Sequence, residues 1–166
     1  MDRRNLNWAQ AQWLLSKGVP PSAMFRPTPI MTCRGRVAVD GRFDEDPEGR
    51  RWLIFEENHD WAFWQPITGE IATETGRSFA FGEDLIHNPA TTAFDQYLNI
   101  YANPHEWLQN ERRGIVVFRW QFAFDRLRDV PRIAVSETLL SNYRRHMRPL
   151  HMPKLAVVPR PKRQTP

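Results

Sequence analysis

The residues best suited to chemistry form a short acidic run that includes one imidazole. The segment 56–60 reads Glu-Glu-Asn-His-Asp, and carboxylates and imidazole at this density can bind a divalent cation or act as general acid and base. The segment also separates two apolar runs, 52–55 and 61–64, and has the length of a hairpin loop, where polar residues are expected on solvation grounds alone. We expect a solvated loop, and a metal or acid–base site is the alternative. A metal would need further ligands, for which His87 and His105 are candidates.

Signatures of nucleophilic catalysis and phosphate binding are absent from the sequence. It contains no Gly-x-Ser-x-Gly, no Walker A motif and no Gly-x-Gly-x-x-Gly. The single cysteine, Cys33, excludes an internal disulfide and a cysteine-based zinc site, and it fits a reducing compartment. Arg34 and Arg36 are close enough in sequence to lower the pKa of this thiol, but alternation along a strand puts Arg34 on the opposite face, so a small buried thiol is expected. The sequence thus indicates no cofactor and favours a non-enzymatic protein over an enzyme.

The strongest functional signal is the distribution of charge along the chain. All 19 acidic residues lie between Asp2 and Glu137, although the whole chain has a formal net charge of +4. The chain up to Glu137 is therefore net acidic, and the segment after it is basic throughout. The basic residues of that segment are Arg144, Arg145, Arg148, Lys154, Arg160, Lys162 and Arg163. A basic segment on an acidic body is a common arrangement for binding a polyanion.

These seven basic residues are the predicted nucleic-acid-binding residues. Arg144, Arg145 and Arg148 fall within about one helical turn, so two or three of them share a face. Each phosphate that a cation neutralises releases counterions, so the segment can add salt-sensitive affinity for DNA or RNA without sequence specificity. The alternatives are a solubilising tail, or a tail that binds the acidic body of a neighbouring copy.

A second hypothesis is a protein-interaction, assembly or inhibitor module that uses exposed aromatic residues. Seven Trp and ten Phe are many for a chain of 166 residues. Most aromatic side chains are expected in the core, where they bury large areas. An exposed minority can contact a protein partner or stack on bases.

The segment 133–137 (Ile-Ala-Val-Ser-Glu) resembles the opening of the Toprim fold of primases and topoisomerases. In that family a strand-end Glu works with a downstream Asp pair to hold magnesium. No Asp or Glu follows Glu137 in this chain, and Thr138 stands where the family prefers Gly. Magnesium requires carboxylate ligands, so we expect Ser136 and Glu137 to be the cap and the first-turn acid of a helix.

Hydrophobic periodicity and turn residues predict an α+β fold, with an N-terminal helix and an antiparallel β-meander followed by a small portion in which strands and helices alternate. The helix is predicted over 5–17 and ends at Gly18. An extended connector is predicted over 24–30, because Pro27 and Pro29 disfavour a helix there. The meander is predicted over 31–76.

The alternating portion begins near residue 97. Its best-defined element is a helix with Asn103 as N-cap and Pro104 at its first position, closed by Gly114. The other predicted elements are strands over 97–101, 115–118 and 132–135, a short helix or prolonged strand over 120–129, a helix over 137–147 and an apolar run over 155–158. Strand–helix–strand repeats of this length favour parallel pairing.

Length and hydropathy suggest one compact domain over 1–158, followed by a basic, Pro-rich, disordered tail over 159–166. No apolar run approaches the roughly 18–20 residues that span a bilayer. The N-terminus also lacks the apolar stretch of a signal peptide. We therefore expect a cytoplasmic protein that does not associate with a membrane.

The region from 52 to 118 resembles small proteins of bacterial prophages and other mobile elements. The features that carry the resemblance are the segments 60–64, 82–86, 103–108 and 113–118. The resemblance implies a bacterial or phage context and no particular activity. Together with the basic segment, it leads us to expect an accessory protein that binds nucleic acid or a nucleic-acid-associated complex.

Overall fold

The computed structural model describes residues 3–57 and 59–149. Six strands form its main sheet: β1 (Arg4–Asn5), β2 (Met31–Val37), β3 (Phe43–Glu45), β4 (Arg50–Glu57), β5 (Asp60–Trp64) and β6 (Ile71–Thr73). All pairs in this sheet are antiparallel. The order is β1-β2-β4-β5-β6, and β3 also pairs with β2. The predicted meander is thus confirmed from β4 to β6. Before β4 the chain departs from a meander, because β4 pairs with β2 instead of with β3.

Four other strands among the described residues form two further pairs. They are β7 (Ala80–Phe81), β8 (Leu98–Ile100), β9 (Val116–Val117) and β10 (Ile133–Val135). Strands β8 and β10 are parallel, as the alternation of strands and helices predicted. Strands β7 and β9 are antiparallel, and β7 was not predicted because two residues are too few to show a period.

In the part of the chain that the structure describes, five α-helices accompany these strands: α1 (Trp8–Ser16), α2 (Pro21–Phe25), α3 (Pro104–Gln109), α4 (Ala123–Leu127) and α5 (Leu140–His146). The antiparallel sheet together with these helices confirms the α+β class. Within residues 3–57 and 59–149, no helix is long and apolar enough to cross a membrane.

Several predicted helix boundaries are wrong. Helix α1 begins at Trp8, after a capping box formed by Asn7 and Gln10, and not at residue 5. Helix α2 extends into the predicted connector as far as Phe25. Helix α3 begins as predicted, with the Asn103 side chain accepting a hydrogen bond from the backbone of Glu106, but it ends well before Gly114.

The C-terminal helices also differ in detail from the prediction. Residues 120–127 are helical, so the alternative of a prolonged strand is wrong. Helix α5 follows a 3₁₀ turn, Glu137–Leu139, and the Ser136 side chain makes no capping hydrogen bond to it. The predicted apolar run over 155–158 lies outside the described residues.

The centre of the main sheet, at β4 and β5, is buried on both faces, which explains why 52–55 reads as an unbroken apolar run. Leu53 and Phe55 pack with buried residues of α1, α2 and α3. Trp52 and Ile54 belong to a separate cluster, which includes Phe43 of β3. Because neighbouring side chains on a strand alternate in direction, these clusters lie on opposite faces.

Candidate functional site

The acidic run 56–60 is not a five-residue loop. Strand β4 continues to Glu57 and β5 begins at Asp60, and these two residues are partners in the ladder. The side chains are buried, with Glu57 7% and Asp60 5% exposed, whereas Glu56 and His59 are exposed. Strand pairing thus removes two of the three carboxylates from solvent, and the solvated-loop prediction is wrong for them.

Asp60 organises the chain segment that follows β6. Its Oδ1 accepts hydrogen bonds from the backbone N–H groups of Trp61 (2.9 Å) and Thr75 (2.8 Å), and its Oδ2 accepts from those of Arg77 (2.8 Å) and Ser78 (3.1 Å). Burial by itself would raise the pKa of Asp60, but these four donors outweigh it and hold the pKa below its usual value. The carboxylate is therefore an ionised structural anchor, and its acceptor positions are occupied.

Glu57 also accepts hydrogen bonds from backbone N–H groups, but its pKa is raised instead of lowered. Its carboxylate accepts hydrogen bonds from the backbone N–H groups of Gly82 (3.0 Å) and Glu83 (3.1 Å). Burial raises the pKa of Glu57 to about 8, and the charges of Glu83 and Asp84 add to the rise, although both hydrogen bonds oppose it. Glu57 is thus the buried acid whose protonation changes near neutral pH, but the groups it contacts are backbone amides.

The imidazoles do not complete a metal site around this run. His59 and His87 line one cavity of about 310 Å³, together with Glu83, Asp84 and Arg126. His105 lies elsewhere, with its Nε2 2.9 Å from the carbonyl oxygen of Lys17. No group of three or more His, Cys, Asp and Glu side chains is arranged to hold a metal in the part of the chain that the structure describes.

Cys33 is a buried thiol, as predicted. It is 5% exposed and belongs to the cluster on the Trp52 side of the main sheet. Burial raises the pKa of Cys33 to about 12, and the nearby charge of Glu45 acts in the same direction. A neutral thiol is a poor nucleophile and a poor metal ligand, which leaves Cys33 a packing role.

The described basic residues form an exposed group at the end of α5. Arg144 and Arg145 lie in its last turn and Arg148 follows, and all three are exposed. The helix is held from its other side by Tyr143 and Met147, which pack against the core around β8 and α4. Within residues 3–57 and 59–149, none of the three arginines forms an ion pair. The other predicted binding residues, Lys154, Arg160, Lys162 and Arg163, lie outside the described residues.

Helix α4, which contacts α5, adds exposed charge of both signs. Arg126 and Arg128 are exposed, but Asp125 and Asp129 are exposed beside them, and Arg128 Nε lies 3.6 Å from a carboxylate oxygen of Asp129. The uncompensated positive charge in this region is therefore concentrated at α5.

The most exposed aromatic residues of the described chain lie on different elements. Trp8 is 78%, Phe25 62% and Phe94 96% exposed, and they lie on α1, α2 and the loop before β8. An apolar groove of about 570 Å³ lies between α1 and the turn after β5, and Trp13 and Ile67 line it.

One buried cation was missed by sequence reasoning. Arg112 follows α3 in a segment predicted to be helical, but it is only 5% exposed. Its Nη1 donates to the carbonyl oxygen of Thr28 (3.0 Å), and its guanidinium carbon lies 5.1 Å from the ring centre of Phe55 and 5.5 Å from that of Trp107. Its Nε and Nη2 have no hydrogen-bond partner among the described residues. Burial lowers the pKa of Arg112 to about 10, which Glu57 partly opposes, so the side chain is a cation at neutral pH.

Comparison of the chain with protein-family models, with curated protein sequences and with solved structures found no match. Function must therefore be inferred from the chemistry of the side chains described above. Of these, the exposed arginines of α5 are the group that leads into the basic segment after Glu137, and within residues 3–57 and 59–149 they form no ion pair.

Proposed function

We propose that the protein is a non-enzymatic accessory protein that binds DNA or RNA, or a complex containing them, through α5 and the basic segment after it. One observation carries the proposal. Arg144, Arg145 and Arg148 are exposed and form no ion pair within the described part of the chain. Arginines that pair with internal acids are partly neutralised, whereas these three remain available to phosphate groups.

The packing of α5 supports a binding role over a purely solubilising one. Tyr143 and Met147 fix the inner side of the helix against the core, so the arginine side chains start from a rigid element. Less conformational freedom is then lost when they contact phosphates. The basic residues beyond 149 extend the same charge along the chain and would add further contacts.

The proposal also includes a cytoplasmic location and a bacterial or phage context. A single buried thiol fits a reducing compartment such as the cytoplasm. The resemblance of the region from 52 to 118 to prophage and mobile-element proteins supports a bacterial or phage context, in which small nucleic-acid-binding accessory proteins would have a use.

The proposal is tested by fluorescence anisotropy with labelled single-stranded and duplex oligonucleotides of several lengths. We expect the triple variant R144Q/R145Q/R148Q to bind about tenfold or more weakly than the wild type at about 50 mM salt. The control variant R26Q/R51Q/R77Q removes the same charge from exposed arginines elsewhere and should bind much as the wild type does. Equal losses in the two variants, or no loss in the first, would contradict the proposal.

A tail that binds the acidic body of a neighbouring copy makes a different prediction. In that case the wild type would self-associate without nucleic acid, and salt or the R144Q/R145Q/R148Q variant would reverse the association. Sedimentation velocity over a range of concentrations separates the two explanations, because the proposed function requires no such self-association.

A further inference from the structure

A second polar site lies away from α5, on the side of β8 and β10 that faces away from the core. Leu98 and Ile100 of β8 are buried, so alternation directs Asn99 outward. Asn99 pairs in register with Ala134 of β10, and both line a cavity of about 550 Å³. This volume lies within the range of small-molecule sites, which is about 300–1,000 Å³.

The charge around this cavity favours an anion. Arg112 and Arg113 line it, and no Asp or Glu is among the described residues that do. Arg113 is partly neutralised by Glu111 at 2.6 Å, and the nearby Asp95 lies 2.5 Å from Arg132, so the excess positive charge at the cavity comes from Arg112. Arg112 forms no ion pair within residues 3–57 and 59–149. Its guanidinium packs against the rings of Phe55 and Trp107, so its positive charge contributes to the potential at the cavity through space.

Two short backbone segments next to the cavity adopt an uncommon conformation. Phe94 and Asp95 have φ of 50° and 63°, and Glu111 and Arg112 have φ of 56° and 59°. Residues other than glycine adopt this left-handed region at a cost of about 1 kcal/mol or more, and such residues cluster at functional sites. Here tertiary hydrogen bonds maintain both segments, including that of Arg132 Nη2 to the Thr92 carbonyl oxygen (2.8 Å).

The cavity also contains side chains that can recognise an aromatic ring with hydrogen-bonding groups at its edge. The side chains of Gln96 and Tyr97 line it and make no hydrogen bond within the described part of the chain. Tyr97 is 53% exposed, which leaves its ring accessible for stacking. Amide side chains and an aromatic ring are the groups that recognise unstacked bases, and arginine is the preferred partner of phosphate.

We propose that this cavity binds a nucleoside phosphate, with the phosphate drawn to the Arg112–Arg113 side and the base held by Tyr97 and Gln96. The ligand can be a free nucleotide or a nucleotide of a single strand, since both present the same chemistry. The site does not depend on the arginines of α5. It can therefore be present even if the proposed function is wrong.

The test is a calorimetric titration of the full chain with each of the four common ribonucleoside monophosphates and, separately, with inorganic phosphate. We expect saturable one-site binding of at least one nucleotide, weakened about tenfold or more by Y97A and by Q96A and unchanged by F25A, a control at an exposed aromatic residue of α2. Both test positions are exposed, so these variants should fold, unlike variants of the buried Arg112.

Other arms of the same experiment identify the ligand source and separate this site from α5. If a free nucleotide is the ligand, Y97A weakens mononucleotide binding and leaves single-stranded oligonucleotide binding intact; if the ligand belongs to a strand, Y97A weakens both. The R144Q/R145Q/R148Q variant should keep its mononucleotide affinity in either case. Absence of saturable binding by all four nucleotides, equal affinity for inorganic phosphate, or insensitivity to Y97A and Q96A would overturn the proposal.

Discussion

At the scale of single residues, the two buried carboxylates of the 56–60 run have opposite acid–base behaviour. Asp60 is surrounded by four backbone donors and its pKa is lowered, whereas Glu57 has fewer donors and burial raises its pKa to about 8. The difference follows from the stronger effect of burial on Glu57, from the charges of Glu83 and Asp84 beside it, and from its smaller number of N–H donors. Both residues connect the main sheet to the segment 75–83 through hydrogen bonds from backbone N–H groups.

Replacing Glu57 with Gln should change the pH dependence of stability. Because the pKa of Glu57 rises from 4.5 to about 8 on folding, the folded protein holds this proton more tightly than the unfolded chain does. The contribution is fully present below pH 4.5 and is lost as the pH rises to about 8, at about 1.4 kcal/mol per pH unit. Urea denaturation between pH 5 and 8 should show the wild type losing stability relative to E57Q over this window.

The neighbouring Glu56 provides a matched control, because it is exposed on the same strand. The E56Q variant should follow the pH dependence of the wild type. A constant difference in unfolding free energy between wild type and E57Q from pH 5 to 8 would show that Glu57 does not bind its proton more tightly in the folded protein.

Replacing Asp60 with Ala should destabilise the protein by about 2–4 kcal/mol at neutral pH, since it leaves four buried or partly buried backbone donors without their acceptor. The matched control is D40A, which removes an exposed aspartate that accepts from one backbone N–H, that of Arg42 (3.0 Å). Chemical denaturation of both variants measures the difference. A D60A cost no larger than that of D40A would contradict the anchoring role.

At the scale of elements, the segment 111–114 after α3 positions Arg112 and forms one side of the cavity that Gln96 and Tyr97 line. The indole Nε1 of Trp107 donates to the Gly114 carbonyl oxygen (2.7 Å), and the hydroxyl of Tyr101 donates to that of Arg113 (3.3 Å). Gly114 itself has φ of 145°, and a Cβ there would lie 2.4 Å from the carbonyl oxygen of Asn99. The chain can approach β8 this closely only with glycine at this position.

The G114A variant should therefore lose more stability than G69A. Gly69 also has a positive φ, of 77°, but a Cβ there would meet nothing within 4 Å. We expect about 1 kcal/mol for G69A from backbone strain alone, and about 3 kcal/mol or more for G114A, where a steric clash with backbone is added. Thermal or urea unfolding of the two variants tests this, and equal costs would contradict the close approach of the segment to β8.

The same segment shows how far the sequence could predict the fold. The start of α3 was predictable because Asn103, Pro104 and Glu106 act locally through capping. Its end was not, because the left-handed pair Glu111 and Arg112 is held by a contact distant in sequence, the hydrogen bond from Arg112 to the carbonyl oxygen of Thr28. Helix ends that depend on tertiary contacts leave no local pattern to read.

The candidate sites also differ in how far the sequence could predict them. The exposure of Arg144 and Arg145 agrees with a charge pattern that is visible in the sequence. The burial of Glu57 and Asp60 was not predictable, because it depends on β4 and β5 extending further than their apolar residues do. The cavity beside Arg112 combines segments from four parts of the chain, and only the folded structure brings them together.

At the scale of the whole molecule, acidic and basic residues are segregated along the chain. The acidic residues lie between Asp2 and Glu137, and many of those that the structure describes are paired with arginines or with backbone amides. The described arginines of α5 face solvent, and the basic residues beyond 149 continue the same charge. This segregation is the physical basis of the proposed function, because a polyanion would be attracted to one end of the chain.

The salt dependence of nucleic-acid binding tests this central claim most directly. If all seven basic residues contact duplex phosphates, a plot of log K against log salt should have a slope of about −6 for the wild type. The R144Q/R145Q/R148Q variant, which loses three of these contacts, should have a slope of about −4. A wild type that does not bind, or slopes that are the same in both proteins, would contradict the account.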